Sequence, residues 1–152
     1  MIEHNQKYGM VDISEKDTTK RTARASAQIQ LSSEAFKILM NEGSPKGDVF
    51  ETAKIAGIMA AKSTPSIIPL CHPLMLNKVK VIFETDEKSS TVTAITEVVC
   101  LGRTGVEMEA LTAATASVLT IYDMMKWKDK GMVISQVKLL HKSGGKSGDY
   151  DV

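Results

Sequence analysis

Residues 104–125 read TGVEMEALTAATASVLTIYDMM, and Lys126 follows directly. Small and apolar side chains fill this stretch, interrupted only by Glu107, Glu109 and Asp123, which predicts one long helix with carboxylates set into both ends. A polar group buried without a partner costs about 2–7 kcal/mol even when it is neutral. Charges in so apolar a helix therefore need partners or a site. Glu107 stands sixteen residues before Asp123, about 24 Å along a helix and turned by about 160°. One small ligand cannot reach both from a single helix. If both ends serve a site, either other elements complete two separate sites or a neighbouring chain brings the second end across an interface.

Working outward from this helix, Gly102 and Gly105 separate it from two alternating segments, 77–85 and 91–101, joined by the turn-rich DEKSS of an antiparallel hairpin. Further upstream, 21–31 alternates strictly, with Ala23, Ala25, Ala27, Ile29 and Leu31 on one face and Arg24, Ser26, Gln28 and Gln30 on the other. That is a half-buried strand. Ser32 or Ser33 can cap a helix over 34–41, and Asp48 a second one reaching about Lys62. Residues 64–73 hold three prolines around Cys71-His72, so they read as a stiff loop rather than a helix or a central strand. Downstream, 133–141 forms a last strand before the glycine-rich SGGKSGDYDV.

The order strand, helices, strand, strand, helix, strand is the split βαβ pattern of a ferredoxin-like α+β sandwich, with an antiparallel sheet and helices on one face. Val79, Val81 and Phe83 fall opposite Lys80 and Ile82, so the second sheet face stays open unless another subunit covers it. The expected organisation is a flexible arm over 1–18, a single domain over 19–142 and a glycine-rich tail over 143–152 that contributes to the site. A formal net charge of +1 supplies no global field toward nucleic acid or a membrane surface, so any anion binding is local. Cys71 and Cys100 lack CxxC spacing, and MIEHNQKYG is not a basic-then-apolar leader. A reducing cytoplasm is the simplest location. No run is apolar enough for a membrane span.

Several residues are chemically suggestive. Asp123 and Lys126, three apart on a helix, share a face. Spacing alone allows either an ordinary exposed ion pair or an acid/base pair in which the aspartate stays ionised and the lysine donates to a substrate oxygen. Lys46-Gly47-Asp48 opens a helix, where backbone N–H groups favour an anion, although a capped helix beside a solvated lysine has the same pattern. Lys142 and Lys146 flank two glycines in KSGGKSG, suited to a backbone nest for phosphate or to a frayed, solvated end. It is not a P-loop, because Leu140 stands where the first glycine belongs. With His4, His72 and His141 the only histidines, a closed zinc set is hard to assemble around Cys71-His72. His72, held by its prolines, is a better donor or acceptor to a polar ligand.

The strings MVDIS, KGDVFETAKIAGIMAAK, IPLCHPL, GRTGVEMEALTAATASVLTIYDMMK and LLHKSGGKSGDY, in that order over about residues 10–150, resemble the cyclic pyranopterin monophosphate synthase family of molybdenum cofactor biosynthesis. The resemblance implies a lyase that converts 3′,8-cyclo-7,8-dihydroguanosine 5′-triphosphate into cyclic pyranopterin monophosphate and pyrophosphate. It implies a homohexamer, a trimer of dimers, with active sites at a subunit interface. No redox cofactor is implied, and magnesium is left open as a companion of the triphosphate. Residue by residue, the catalytic positions fall on Asp123, Lys46 and Lys126. Leu70, Cys71, His72, Met108 and Glu109 match substrate-binding segments, with Glu107 adjacent. Arg21, Lys62, Lys142 and Lys146 look like the basic shell around the triphosphate.

Ring rearrangement moves protons at nitrogen and hydroxyl groups, a task suited to Asp123 and Lys126. Closing a cyclic phosphate with pyrophosphate leaving needs cations on the developing charge, which Lys46 and the tail lysines supply. The rival class is a catalytically silent nucleotide-binding regulatory module built on the same basic loops. A nucleic-acid binder fits less well, since Phe83 is the only aromatic in the expected strands. A bare interaction scaffold would leave the lysines near glycine-rich turns without a purpose.

Overall fold

Alternation in the first strand sets the architecture. In the computed structural model, which describes residues 8–152, β1 spans Thr19–Gln30, and Ala23, Ala25, Ala27 and Ile29 on its inner face are fully buried. His4 and the first seven residues of the expected arm lie outside the described residues. Ser32 accepts from Ala35 N–H at 3.1 Å and caps α1, Ser33–Asn41. Asp48 accepts from Glu51 N–H at 3.0 Å and caps α2, Val49–Lys62. Both caps occupy donors that the first helical turn leaves free.

The stretch expected to be wholly a loop begins instead with a helical turn, α3, Thr64–Ile67. Pro65 lies in its first turn, where the missing N–H has no intrahelical partner to lose. The hairpin follows as β2, Leu76–Asp86, and β3, Thr91–Gly102; then come α4, Glu107–Met125, and β4, Val133–Ser143. A two-residue strand that sequence did not suggest, β5, Tyr150–Asp151, pairs antiparallel with β4.

The sheet order is β2-β3-β1-β4-β5, with every neighbouring pair antiparallel. Its first four strands have the ferredoxin-like arrangement: the hairpin and the last strand interleave around β1, and each βα crossover skips one strand. α4 lies on the alanine face of β1, and small residues let the backbones approach. Thr96 Oγ1 donates to the Ala110 carbonyl at 2.7 Å, tying the first half of α4 to the centre of β3. At the α2–α4 contact, Ser117 Oγ lies 3.1 Å from the Ala53 carbonyl oxygen and 2.9 Å from that of Ala113. Gly57 leaves no room there, since a Cβ on it would overlap Ser117 Oγ. On the far side of the sheet Ile82 and Val133 are exposed, and Lys78 and Glu97 form an ion pair of 2.7 Å.

Candidate active site

Two clusters form, one at each end of α4. At its C-terminal end the α1–α2 turn is fastened onto the helix: Ser44 Oγ donates to the Met124 carbonyl at 2.7 Å and accepts from Lys46 N–H at 3.1 Å. That fastening delivers Lys46 to a residue 77 positions away. Lys46 Nζ lies 2.9 Å from Asp123 Oδ2, and Lys126 Nζ lies 3.0 Å from Oδ1. Each carboxylate oxygen thus holds its own ammonium. Hydrogen bonds from Lys46 and then Lys126 keep Asp123 below the usual aspartate range. All three side chains are half-exposed, so a ligand can enter between them.

At the N-terminal end, a cavity of ≈ 270 Å³ is walled by Leu70, Cys71, His72, Leu74, Thr104, Gly105, Glu107, Met108 and Glu109, with Val11, Ile13 and Lys16 also lining it. The α3–β2 loop brings Cys71 and His72 to the first turn of α4. His72 Nε2 lies 2.8 Å from the Val11 carbonyl; a carbonyl only accepts, so this nitrogen donates. Glu109 is buried, and desolvation pushes its carboxyl up, opposed by its own backbone N–H and reinforced by Glu107. Burial also raises the Cys71 thiol, with Glu109 and Glu107 adding to the effect. A thiol held protonated is a poor nucleophile, which argues against a thiolate dyad with His72.

Glu107 faces the tail. Lys142 Nζ stands 3.3 Å from Glu107 Oε1, near enough for attraction, yet this buried oxygen has no hydrogen-bond partner. An unsatisfied buried carboxylate oxygen can accept from a ligand. Arg21, buried on β1, donates to the Gly102 carbonyl at 3.3 Å and to the Asp17 carbonyl at 3.4 Å. Gly144 and Gly145 pack directly on the Lys20 carbonyl and the Arg21 guanidinium.

The sequence-derived residues therefore fall into two groups. Lys46, Asp123 and Lys126 meet at one end of α4. Leu70, Cys71, His72, Glu107, Met108 and Glu109 share the cavity at the other, with Lys142 against Glu107. Lys62 ends α2 and is exposed, and Lys146 is exposed in the loop after β4. Sequence reasoning missed Val11, Ile13, Lys16, Leu74, Thr104 and Gly105 as cavity walls. The string MVDIS was the available signal, since an arm without a role has no need of an apolar-acidic pattern. Asp12 fixes that segment by accepting from Ser14 N–H at 2.9 Å and from its hydroxyl at 2.6 Å.

Sheet order, crossovers and helix placement define a ferredoxin-like α+β protein with a charged cluster at each end of one helix. Residues 10–145 match the MoaC family. Over 142 residues the chain is 54% identical to the cyclic pyranopterin monophosphate synthase of Staphylococcus carnosus (strain TM300), covering 93% of this chain and 88% of that one. This chain belongs to the MoaC family.

Proposed function

We propose that this protein is a cyclic pyranopterin monophosphate synthase, a lyase of molybdenum cofactor biosynthesis acting on 3′,8-cyclo-7,8-dihydroguanosine 5′-triphosphate. The observation that carries the reading is the Lys46–Asp123–Lys126 array, in which one ionised carboxylate lies between two ammonium groups. Asp123 accepts a proton released during ring rearrangement and Lys126 returns one, while Lys46 stabilises negative charge as it develops. His72, Glu107 and Glu109 orient the pterin end by donating to and accepting from its ring edge. Arg21, Lys62, Lys142 and Lys146 hold the phosphates. Attack of a sugar-derived hydroxyl on the α-phosphorus then forms the cyclic phosphate and expels pyrophosphate. Magnesium is left open as a counter-ion that the triphosphate can bring with it.

One α4 cannot bring both clusters to one small substrate, so a working site combines the C-terminal cluster of one protomer with the N-terminal cavity of its neighbour. A homohexamer, a trimer of dimers, fits this requirement, and the open sheet face with Ile82 and Val133 exposed leaves room for such contacts. The free thiols suit a cytoplasmic enzyme, and among the described residues no helix is long and apolar enough to cross a membrane. The test is release of pyrophosphate from the cyclised GTP derivative. Mixing Asp123→Asn and Glu109→Ala chains restores activity in mixed oligomers if sites are shared between protomers; binding of the substrate without turnover supports the silent regulatory module instead.

A further inference from the structure

Between β4 and β5 the chain makes a hairpin whose loop carries Lys146. The ladder is minimal, with His141 opposite Asp151 and Lys142 opposite Tyr150. Val152 N–H adds one bond to the Leu140 carbonyl at 3.1 Å. So short a pairing is marginal in water. Gly144, Gly145 and Gly148 all have positive φ, which lets the loop turn sharply. Its incoming side is seated, because Gly144 and Gly145 rest on Lys20 and Arg21 without space for a Cβ. Its outgoing side has no such seat and depends on β5.

One side-chain contact reinforces that weak side: His141 Nδ1 lies 2.7 Å from Asp151 Oδ1. His141 is largely covered, with Arg24 opposite it on β1, whereas Asp151 is exposed. The neighbouring Lys142 reaches Glu107. The same strand end thus ties one residue to the cavity and the next to the chain terminus. We propose that the His141–Asp151 pair is a clasp that closes the glycine loop and holds Lys146 and the loop amides toward the phosphate end of the substrate. His141 and Asp151 are positioning residues that act through the loop and touch no reacting atom. The inference rests on the reading of this loop as part of the triphosphate-binding shell.

An unclasped loop must be ordered by each phosphate it binds, so affinity falls while the chemical step is untouched. Because the pair is partly exposed, the effect is modest. In the full-length protein, Asp151→Ala and His141→Phe each raise KM for the cyclised GTP derivative by about two- to fivefold and leave kcat unchanged. They weaken binding of inorganic tripolyphosphate by the same factor. His141→Asn, whose side-chain amide can donate from near the Nδ1 position, recovers both. Wild-type affinity for tripolyphosphate in Asp151→Ala overturns the clasp, as does a fall in kcat that matches the fall in kcat/KM. Wild-type protein that binds tripolyphosphate in a clasp-dependent way yet releases no pyrophosphate overturns the synthase reading and leaves the clasp standing.

Discussion

The two ends of α4 carry carboxylates in opposite surroundings. Asp123 sits half-exposed between Lys46 and Lys126 and is held ionised, while Glu109 is buried beside another carboxylate and is pushed toward its neutral form. One helix thus carries a carboxyl whose pKa is lowered at one end and a carboxyl whose pKa is raised at the other. What separates them is solvent access and the sign of the neighbouring charges, since both side chains bear the same functional group. Such divergence lets two carboxyls differ in proton affinity, the one with the raised pKa keeping its proton to higher pH.

The largest effect is expected from breaking the C-terminal cluster. Asp123→Asn or Lys46→Ala lowers kcat by about 10²-fold or more, measured as pyrophosphate release, as removal of a proton-transfer group typically does. Near-normal turnover in either variant would remove both residues from the chemistry. Next comes the rigid spacer between the ends. Gly57→Ala places a Cβ on Ser117 Oγ, and overpacking of this kind costs about 1–3 kcal/mol, read as a lower urea midpoint with an unchanged slope. A variant as stable as the parent would mean that α2 and α4 slide apart at little cost.

The comparison also predicts opposite pH slopes. Glu109 has a raised pKa in the folded protein, so its proton favours folding below the unfolded carboxylate range, and that contribution is lost as pH rises through the folded value. Glu109→Gln, neutral at every pH, therefore gains melting temperature relative to the parent as pH rises from 4 to 8, about the range that brackets a shifted glutamate. A constant difference across the range would refute the shift. Asp123 behaves inversely: its lowered pKa contributes stability above the unfolded value, lost as pH falls through the folded one. Asp123→Asn flattens this acid limb by the smallest amount of the set, and added salt erases the difference, because the pairs face solvent.

Much of this was legible in the chain. The alternation of β1, the Asp48 cap, the serine cap of α1 and the charges at both ends of α4 are local patterns, each decided by neighbours within one or two turns. The contacts that arm the site are not local. Lys46 meets Asp123 across 77 positions, beside the bond from Ser44 to the Met124 carbonyl, and Val11 reaches His72 across 61 positions. No periodicity records such distances. The strand β5 escaped for a related reason: two residues carry no alternation to read, and their pairing is set by the loop that returns them to β4.

By itself, then, the sequence determined the four long strands, the three longer helices, the ferredoxin-like order and the impossibility of one helix serving one small ligand with both ends, since these follow from turn length and side-chain period. The tertiary structure alone decided which carboxyl has its pKa lowered and which has it raised. Desolvation and ion pairing depend on what surrounds a group in space, and the lysines beside Asp123 and the walls around Glu109 come from distant parts of the chain.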